Sequence, residues 1–248
     1  MLRHRRGRVD AKRATRRPVF TAARAAACAA GLIAALMPGS AGAIGGGALD
    51  GGSHPYVGSL LDSNGRPFCS VVYVRASPHY SVVLTSAHCL FQPGHAKGRV
   101  RVAFASSWVP GTPSFSGRFF VDPAYSTSTH MHDVAVIVLD RNPRLPRAYL
   151  PSYGAARNVQ SVQTVGFGTP NLGQRRVARE EVNNVTNHWL WLTAGDGNTC
   201  DGDSGGPDMI PGTDTVVALT DLGTCSTDQD TRVDTVAEVA FIRSAATY

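Results

Sequence analysis

The stretch CDGDSGGP, residues 200–207, is the most informative part of this 248-residue chain for its fold class. Glycines on both sides of Ser204 let the backbone turn tightly, expose the serine and bring amide N–H groups towards a reacting carbonyl. The pattern also satisfies G-x-S-x-G, the turn that carries the nucleophile of α/β-hydrolases. That turn needs a helix behind it, whereas Pro207 and the β-rich flanks provide none. We therefore expect Ser204 to belong to an all-β protein.

Short runs rich in Val, Ile, Thr and aromatic residues recur along residues 44–248 between clusters of Gly, Pro, Asn and Ser. Such spacing is typical of an antiparallel barrel or sandwich and differs from alternating βαβ units. The predicted strands are residues 69–75, 80–85, 100–105, 133–139, 160–166, 189–193 and 215–219, and the best helical candidate is 235–246. No linker or repeat divides residues 44–248, which we expect to form a single catalytic domain.

The net charge of +6 is concentrated at the N-terminus. Residues 1–43 hold nine Arg or Lys against Asp10 alone, whereas the rest of the chain holds fifteen bases and seventeen acids. An Arg-rich start, an apolar run at 25–37 and the small residues 41–43 predict a signal peptide cut after Ala43. The apolar run is shorter than the roughly 20 residues of a membrane span. We predict a secreted, extracellular protein without a stable membrane anchor, whose export route, general or twin-arginine, stays open.

Four cysteines remain after residue 43, namely Cys69, Cys89, Cys200 and Cys225. An even number in an exported chain favours disulfides, although their spacing leaves all three pairings open. None of them shows the C-x-x-C spacing of a zinc site, so we expect no metal and no cofactor.

Two further strings carry groups that could act on a serine hydroxyl. VVLTSAHC, residues 82–89, is a predicted strand running into His88, and imidazole is the usual base for serine because its pKa lies near neutral pH. HDVAVIVL, residues 132–139, places Asp133 at the head of an apolar strand, where a carboxylate would orient the histidine.

In this order, His88, Asp133 and Ser204 with their surrounding strings resemble the trypsin and chymotrypsin family of serine proteases. The resemblance covers nearly all of the chain after residue 43. PYVGSL at 55–60 is similar to that family's first strand, Gly166-Phe167-Gly168 to its Gly-aromatic-Gly, and residues 232–242 to its closing strand and helix.

The resemblance implies two six-stranded antiparallel β-barrels with a C-terminal helix and the active site between the barrels. It implies that Ser204 attacks the peptide carbonyl, that His88 moves the proton and that Asp133 orients His88. The amides of Gly202 and Ser204 would form the oxyanion hole. The implied disulfides are Cys69–Cys89 and Cys200–Cys225.

The resemblance also implies a role for a new N-terminus. A free amine at Ile44 would insert beside Asp203, so cleavage of the signal peptide after Ala43 would itself create the activating end. Our hypothesis is that no separate zymogen step exists.

The substrate pocket departs from the family pattern. Asn198 stands where enzymes that cut after Arg or Lys usually have Asp, so a strict Arg/Lys preference is not expected. Asp228 is a candidate to approach the pocket from the neighbouring strand. In the substrate-pairing stretch ending in Leu222 and Gly223, Asp221 stands where Ser is usual.

Several charged residues are predicted to lie at the surface. His130 and His132 are expected in a solvated loop ahead of Asp133, without a metal. Arg175, Arg176, Arg179, Glu180 and Glu181 predict a charged surface loop and no nucleic-acid patch.

The leading prediction is a secreted serine endopeptidase, expected to be a monomer, whose partners are polypeptide substrates and protein inhibitors. The alternatives are a trypsin-fold binding protein that is weak or inactive as a catalyst, and a secreted esterase using the same acyl transfer. Complete retention of the triad, Gly202 and Asp203 favours the enzyme.

Overall fold

The structure is a computed structural model, which describes residues 44–91, 97–169 and 172–247. The predicted signal peptide, residues 1–43, lies outside this range. Within these ranges, thirteen strands, one α-helix and two short 3₁₀ helices make up the regular structure. They are β1 Ala48–Leu49, β2 Val57–Leu61, β3 Pro67–Val74, β4 Ser81–Thr85, β5 Lys97–Ala103, β6 Phe115–Val121, β7 Ala135–Leu139, β8 Ser161–Gly166, β9 Arg176–Val185, β10 Trp189–Ala194, β11 Pro207–Met209, β12 Val216–Gly223, β13 Thr227–Arg232 and α1 Val236–Ala245.

The first barrel closes in the order β2-β3-β4-β7-β6-β5, with antiparallel pairing throughout. The strands β4 and β7 are continuous apolar runs, SVVLT and AVIVL, because both of their faces are buried. Their register pairs Val82 with Val138 and Leu84 with Val136. This pairing places the chain just after β4 next to the chain just before β7, which are the positions of His88 and Asp133.

The second barrel follows the order β9-β10-β13-β12-β11-β8 and closes through pairing of β8 with β9, while the short β1 adds to β9. The prediction of two six-stranded antiparallel barrels is therefore confirmed. The predicted C-terminal helix is also present. Thr235 caps α1, because its side chain accepts a hydrogen bond from the amide of Glu238, and no helix of the described part has the length and apolar character of a membrane span.

The prediction of a charged surface loop at residues 175–181 is wrong. Residues from Arg176 onward form β9, in which Glu180 is fully buried because it points into the second barrel. Arg175 is buried as well, and its guanidinium donates to Asp50 at 2.6 Å and to the carbonyl of Val57 at 3.0 Å. Strand β9 was missed because one of its two buried positions, Glu180, carries an acid, which the sequence pattern of a half-buried strand does not predict.

Candidate active site

His88 and Asp133 form a close pair at the edge of the first barrel. His88 lies in a short 3₁₀ helix, Ala87–Cys89, directly after β4, and Asp133 precedes β7 and is fully buried. The imidazole Nδ1 lies 2.6 Å from one carboxylate oxygen of Asp133, while the other oxygen accepts the backbone amide of His88 at 2.7 Å. The aspartate therefore fixes both the ring and the backbone of His88, and it leaves the outer ring nitrogen, Nε2, for a substrate or a hydroxyl.

Ser204 lies in a turn between the glycines at 202 and 205, both of which have positive φ, 95° and 81°. At Gly205 a Cβ atom would come within 2.1 Å of Thr85 Oγ1, so only glycine allows the serine turn to approach the first barrel this closely. In the described part of the chain, the amides of Gly202 and Ser204 donate no hydrogen bond to protein. Both remain available to an oxygen of the substrate.

Ser70 of β3 holds the serine turn to the first barrel. Its amide donates to the carbonyl of Ser204 at 2.8 Å, and its hydroxyl donates to the carbonyl of Gly202 at 2.9 Å. The same hydroxyl accepts the amide of Phe167 at 3.0 Å. Ser70 was not predicted, because a serine inside a predicted strand carries no signal of its own.

Three contacts bring the serine turn beside His88. The carbonyl of Thr220 accepts hydrogen bonds from the hydroxyl of Ser86 at 2.7 Å and from the amide of Gly205 at 2.8 Å. One acceptor therefore holds both the chain just before His88 and the chain just after Ser204. The carbonyl of Ser204 lies 3.8 Å from the sulfur of Cys89. No hydrogen bond of the Ser204 hydroxyl occurs within the described residues, and catalytic hydrogen bonds often tighten only when substrate binds.

Both disulfides implied by the resemblance are present. Cys69–Cys89 joins β3 to the short helix that carries His88, and Cys200–Cys225 joins the serine turn to the stretch after β12.

Asp221 is a second carboxylate beside His88. It lies on β12, is buried, and places one oxygen 3.6 Å from His88 Nδ1 and 3.1 Å from His130 Nδ1. Burial alone would lower the pKa of His88, but the hydrogen bonds and charges of Asp133 and Asp221 outweigh it and raise the pKa to about 9. Burial and the charge of Asp133 in turn raise the pKa of Asp221 to about 6.

The loop expected to be solvated is packed into the molecule. His130 contacts Asp221, and His132 Nδ1 lies 2.7 Å from the carboxylate of Glu238 in α1. Both imidazoles are about three-quarters or more buried, so the prediction of a solvated loop is wrong. These contacts could not be predicted from the sequence of the loop, because their partners lie 91 and 106 residues away along the chain.

Ile44 and Asp203 lie together. Ile44 is fully buried and its backbone amide hydrogen-bonds the carboxylate of Asp203, which also accepts the amides of Gly168 at 2.7 Å and Cys200 at 3.0 Å. Gly45 is fixed beside them by two backbone hydrogen bonds to Asn198, of 2.7 and 2.9 Å. Burial raises the pKa of Asp203 to about 7 despite these donors.

The predicted pocket residues Asn198, Gly223 and Asp228 lie together, and Leu222, 41% exposed, lies at the surface beside them. The Asn198 side chain donates to Asp228 at 3.3 Å, while its own oxygen has no hydrogen-bond partner among the described residues. A Cβ on Gly223 would lie 2.3 Å from the carboxylate of Asp228, so only glycine lets β12 pass this close to that buried carboxylate.

Behind Asp228, the second barrel buries Glu180, Asp208 and Asp230. Burial and the charges of Asp228 and Asp208 raise the pKa of Glu180 to about 10, and burial raises that of Asp208 to about 6. The pKa values of Asp228 and Asp230 are raised too, chiefly by burial. This group was not predicted, although the alternating acids at positions 228 and 230 in a predicted β protein were a usable signal.

Two antiparallel barrels with a His–Asp pair and a glycine-flanked serine at their junction define the class of two-barrel serine hydrolases. Residues 43–242 match the trypsin family, and the chain belongs to this family of serine proteases. It is 27% identical over 195 residues to Achelase-1 of Lonomia achelous, a match that covers 66% of this chain and 89% of Achelase-1. It is 28% identical over 155 residues to Trypsin CFT-1 of Choristoneura fumiferana, covering 50% of this chain and 59% of that protein.

Proposed function

We propose that the protein is a secreted serine endopeptidase in which Ser204 is the nucleophile, His88 the general base and Asp133 its orienting acid. The observation that carries the proposal is the contact of 2.6 Å between His88 Nδ1 and Asp133, at the point where Ser70 and Thr220 hold the serine turn. Ser204 Oγ attacks the carbonyl carbon of a polypeptide, and its proton passes to His88 Nε2. The free amides of Gly202 and Ser204 stabilise the oxyanion, and His88 returns the proton to the leaving amine.

The mature N-terminus is part of this proposal. A free amine at Ile44 would replace the amide that now contacts Asp203 and would add a positive charge beside a buried carboxyl. Since Ile44 is buried beside Asp203 and Gly45 is paired with Asn198, a chain cleaved after Ala43 before it folds would form this ion pair in the arrangement of the described residues. Extracellular location agrees with the two disulfides, which persist in oxidising compartments.

The test is the intact mass of the secreted protein before and after treatment with a serine-directed fluorophosphonate. We expect a chain that begins at Ile44 and gains one probe adduct. Ser204→Ala should remove the adduct and lower kcat by about 10⁶-fold, whereas Ser152→Ala, at an exposed serine outside the site, should change neither. An unlabelled protein of the expected mass would instead indicate a binding protein, and faster turnover of a matched ester with no amide hydrolysis would indicate an esterase.

We further propose that the pocket accepts Arg and Lys without requiring them. The floor offers the Asn198 side chain, which carries no charge, while the buried carboxyl of Asp228, which accepts the Asn198 amide at 3.3 Å, would gain a positive partner if a cationic side chain entered the pocket. A charged hydrogen bond contributes about 1.5–3 kcal/mol. Asp228→Asn should therefore lower kcat/KM for Arg and Lys substrates by roughly 10- to 100-fold relative to Leu substrates.

The measurement is a comparison of peptide substrates that differ only in the residue before the cleaved bond. Asp196→Asn is the matched control, because Asp196 is exposed and lies two residues from Asn198. An equal loss for Arg and Leu substrates in Asp228→Asn would show that Asp228 supports the barrel and does not select the substrate.

A further inference from the structure

Four metal-binding side chains meet beside the active site, namely His88, His130, Asp133 and Asp221. One ligand atom from each lies within 4.8 Å of those of all the others. We propose that this group, the His₂Asp₂ cluster, binds a divalent transition-metal ion such as Zn²⁺, and that the bound ion reversibly inhibits the enzyme. The binding site stands on the contacts alone, whereas the inhibition rests on the proposed function.

The donor set suits zinc. Imidazole nitrogen and carboxylate oxygen are ordinary zinc ligands, and the two carboxylates balance the charge of a divalent ion. In a tetrahedral site with bonds near 2.0–2.2 Å, neighbouring ligand atoms lie about 3.4 Å apart. Asp221 already lies 3.1 Å from His130 Nδ1 and 3.6 Å from His88 Nδ1. The pair of His88 and Asp133, at 2.6 Å, would have to separate by roughly 1 Å, and the remaining pairs lie within 4.8 Å of each other.

The carboxylates are held ready by their outer hydrogen bonds. Asp133 uses one oxygen to accept the backbone amide of His88, and Asp221 uses one oxygen to accept the hydroxyl of Thr231 at 2.9 Å. The amide of Asp221 is itself held by Asp230 at 3.0 Å. The remaining oxygen of each carboxylate faces the imidazoles. Hydrogen bonds of this kind orient metal ligands and strengthen binding.

Solvent reaches the cluster from the imidazole side. The side chains of His88 and His130 are 26% and 25% exposed, whereas both carboxylates are buried. The other group of suitable residues within the described ranges, Cys69, His88 and Cys89, offers no thiolate because its two sulfurs form a disulfide.

Inhibition follows from the chemistry of the imidazole. An ion on Nδ1 of His88 uses the lone pair of that nitrogen, so the ring proton stays on Nε2. That nitrogen then has no lone pair to accept the proton of Ser204, and Asp133 is engaged by the ion. Removal of the ion restores the tautomer in which Nδ1–H faces Asp133 and Nε2 is free.

The test uses two histidines of the same loop. His130 and His132 both have left-handed backbone conformations, with φ of 56° and 58°, which asparagine tolerates. ZnCl₂ is titrated by calorimetry into metal-stripped Ser204→Ala protein, so that binding is measured without catalysis. We expect one zinc ion per chain and a loss of zinc affinity of at least about 100-fold in His130→Asn. Residues that only hydrogen-bond a metal-ligating side chain already contribute 10- to 100-fold to metal affinity, so the loss of a ligating side chain should cost at least as much.

His132→Asn is the control and should bind zinc as the parent does, since His132 contacts Glu238 outside the cluster. Asp221→Ser is the second variant and should lose affinity like His130→Asn. In protein with Ser204 intact, zinc should stop hydrolysis over the concentration range that fills the site, and EDTA should restore it. Absence of zinc binding, or equal losses in His130→Asn and His132→Asn, would overturn the proposal. Zinc binding by a protein that hydrolyses nothing would leave the site standing and refute the proposed function instead.

Discussion

The two barrels share one architecture but differ in what they bury. In the first barrel, β4 and β7 are buried along their whole length and carry almost only apolar side chains. In the second, β9, β11 and β13 bury Glu180, Asp208, Asp228 and Asp230. Because a buried carboxyl group is costly to ionise, its pKa is raised, and it keeps a proton at pH values where the same group in water would lose it. The first barrel is thus an apolar frame for His88 and Asp133, whereas the second buries a group of acids behind the pocket whose burial favours the protonated form, at a cost in stability.

The imidazole of His88 lies beside one carboxylate from each barrel. Of the differences between the barrels, the largest expected effect is the unequal contribution of these two carboxylates to kcat. Asp133 of the first barrel contacts His88 Nδ1 at 2.6 Å and also its backbone amide, whereas Asp221 of the second barrel lies 3.6 Å away. Asp133→Asn should lower kcat about 10⁴-fold, because the amide favours the wrong tautomer of His88. Steady-state peptide hydrolysis measures this.

Asp140→Asn is the matched control for that variant. Asp140 follows the other end of β7 and forms an exposed ion pair with Arg99, so its loss should leave kcat unchanged. A comparable loss of kcat in Asp140→Asn would mean that Asp133→Asn acts by disturbing β7 and not by removing the carboxylate next to His88.

The buried acids of the second barrel should make folding stability depend on pH. The pKa of Glu180 is raised from 4.5 to about 10, so between these values the folded chain holds a proton that the unfolded chain releases. The contribution of such a group to stability is fully present at acidic pH and falls as pH rises through this interval, by about 1.4 kcal/mol per pH unit for each such proton. Glu180→Gln should flatten this slope and stabilise the protein most at alkaline pH.

Denaturant unfolding at about pH 5.5 and about pH 8 measures the slope. Glu181→Gln is the control, because the neighbouring glutamate is half-exposed and pairs with Arg179. If both variants keep the parental slope, Glu180 is ionised in the folded protein and the contrast between the barrels is not electrostatic.

The same contrast explains what the sequence could predict. Local sequence patterns were enough to predict strands β4 and β7 and the strings around His88, Asp133 and Ser204. An apolar run indicates a buried strand, and a glycine-flanked serine indicates a tight turn, without reference to distant parts of the chain. Strand β9 was not, since Glu180 is turned inward by pairing with β8 and β10 and meets Asp228 only in the folded barrel. The contact of His130 with Asp221 joins residues 91 apart and depends on the two barrels meeting.

The smallest effect tests whether Asp221 of the second barrel influences the base of the first. His88 must be neutral to accept a proton, so its pKa of about 9 predicts a rate that rises through neutral pH and levels off only at alkaline pH. In Asp221→Ser one carboxylate is lost while Asp133 remains. The midpoint of kcat/KM against pH should move to lower pH, by less than the interval between 6.5 and about 9.

The pH profiles are recorded in EDTA, and Asp201→Ser, which changes an exposed acid of the serine turn, is the control. An unchanged midpoint in Asp221→Ser would show that Asp133 alone sets the basicity of His88, and that the second barrel contributes the serine and the pocket but not the strength of the base.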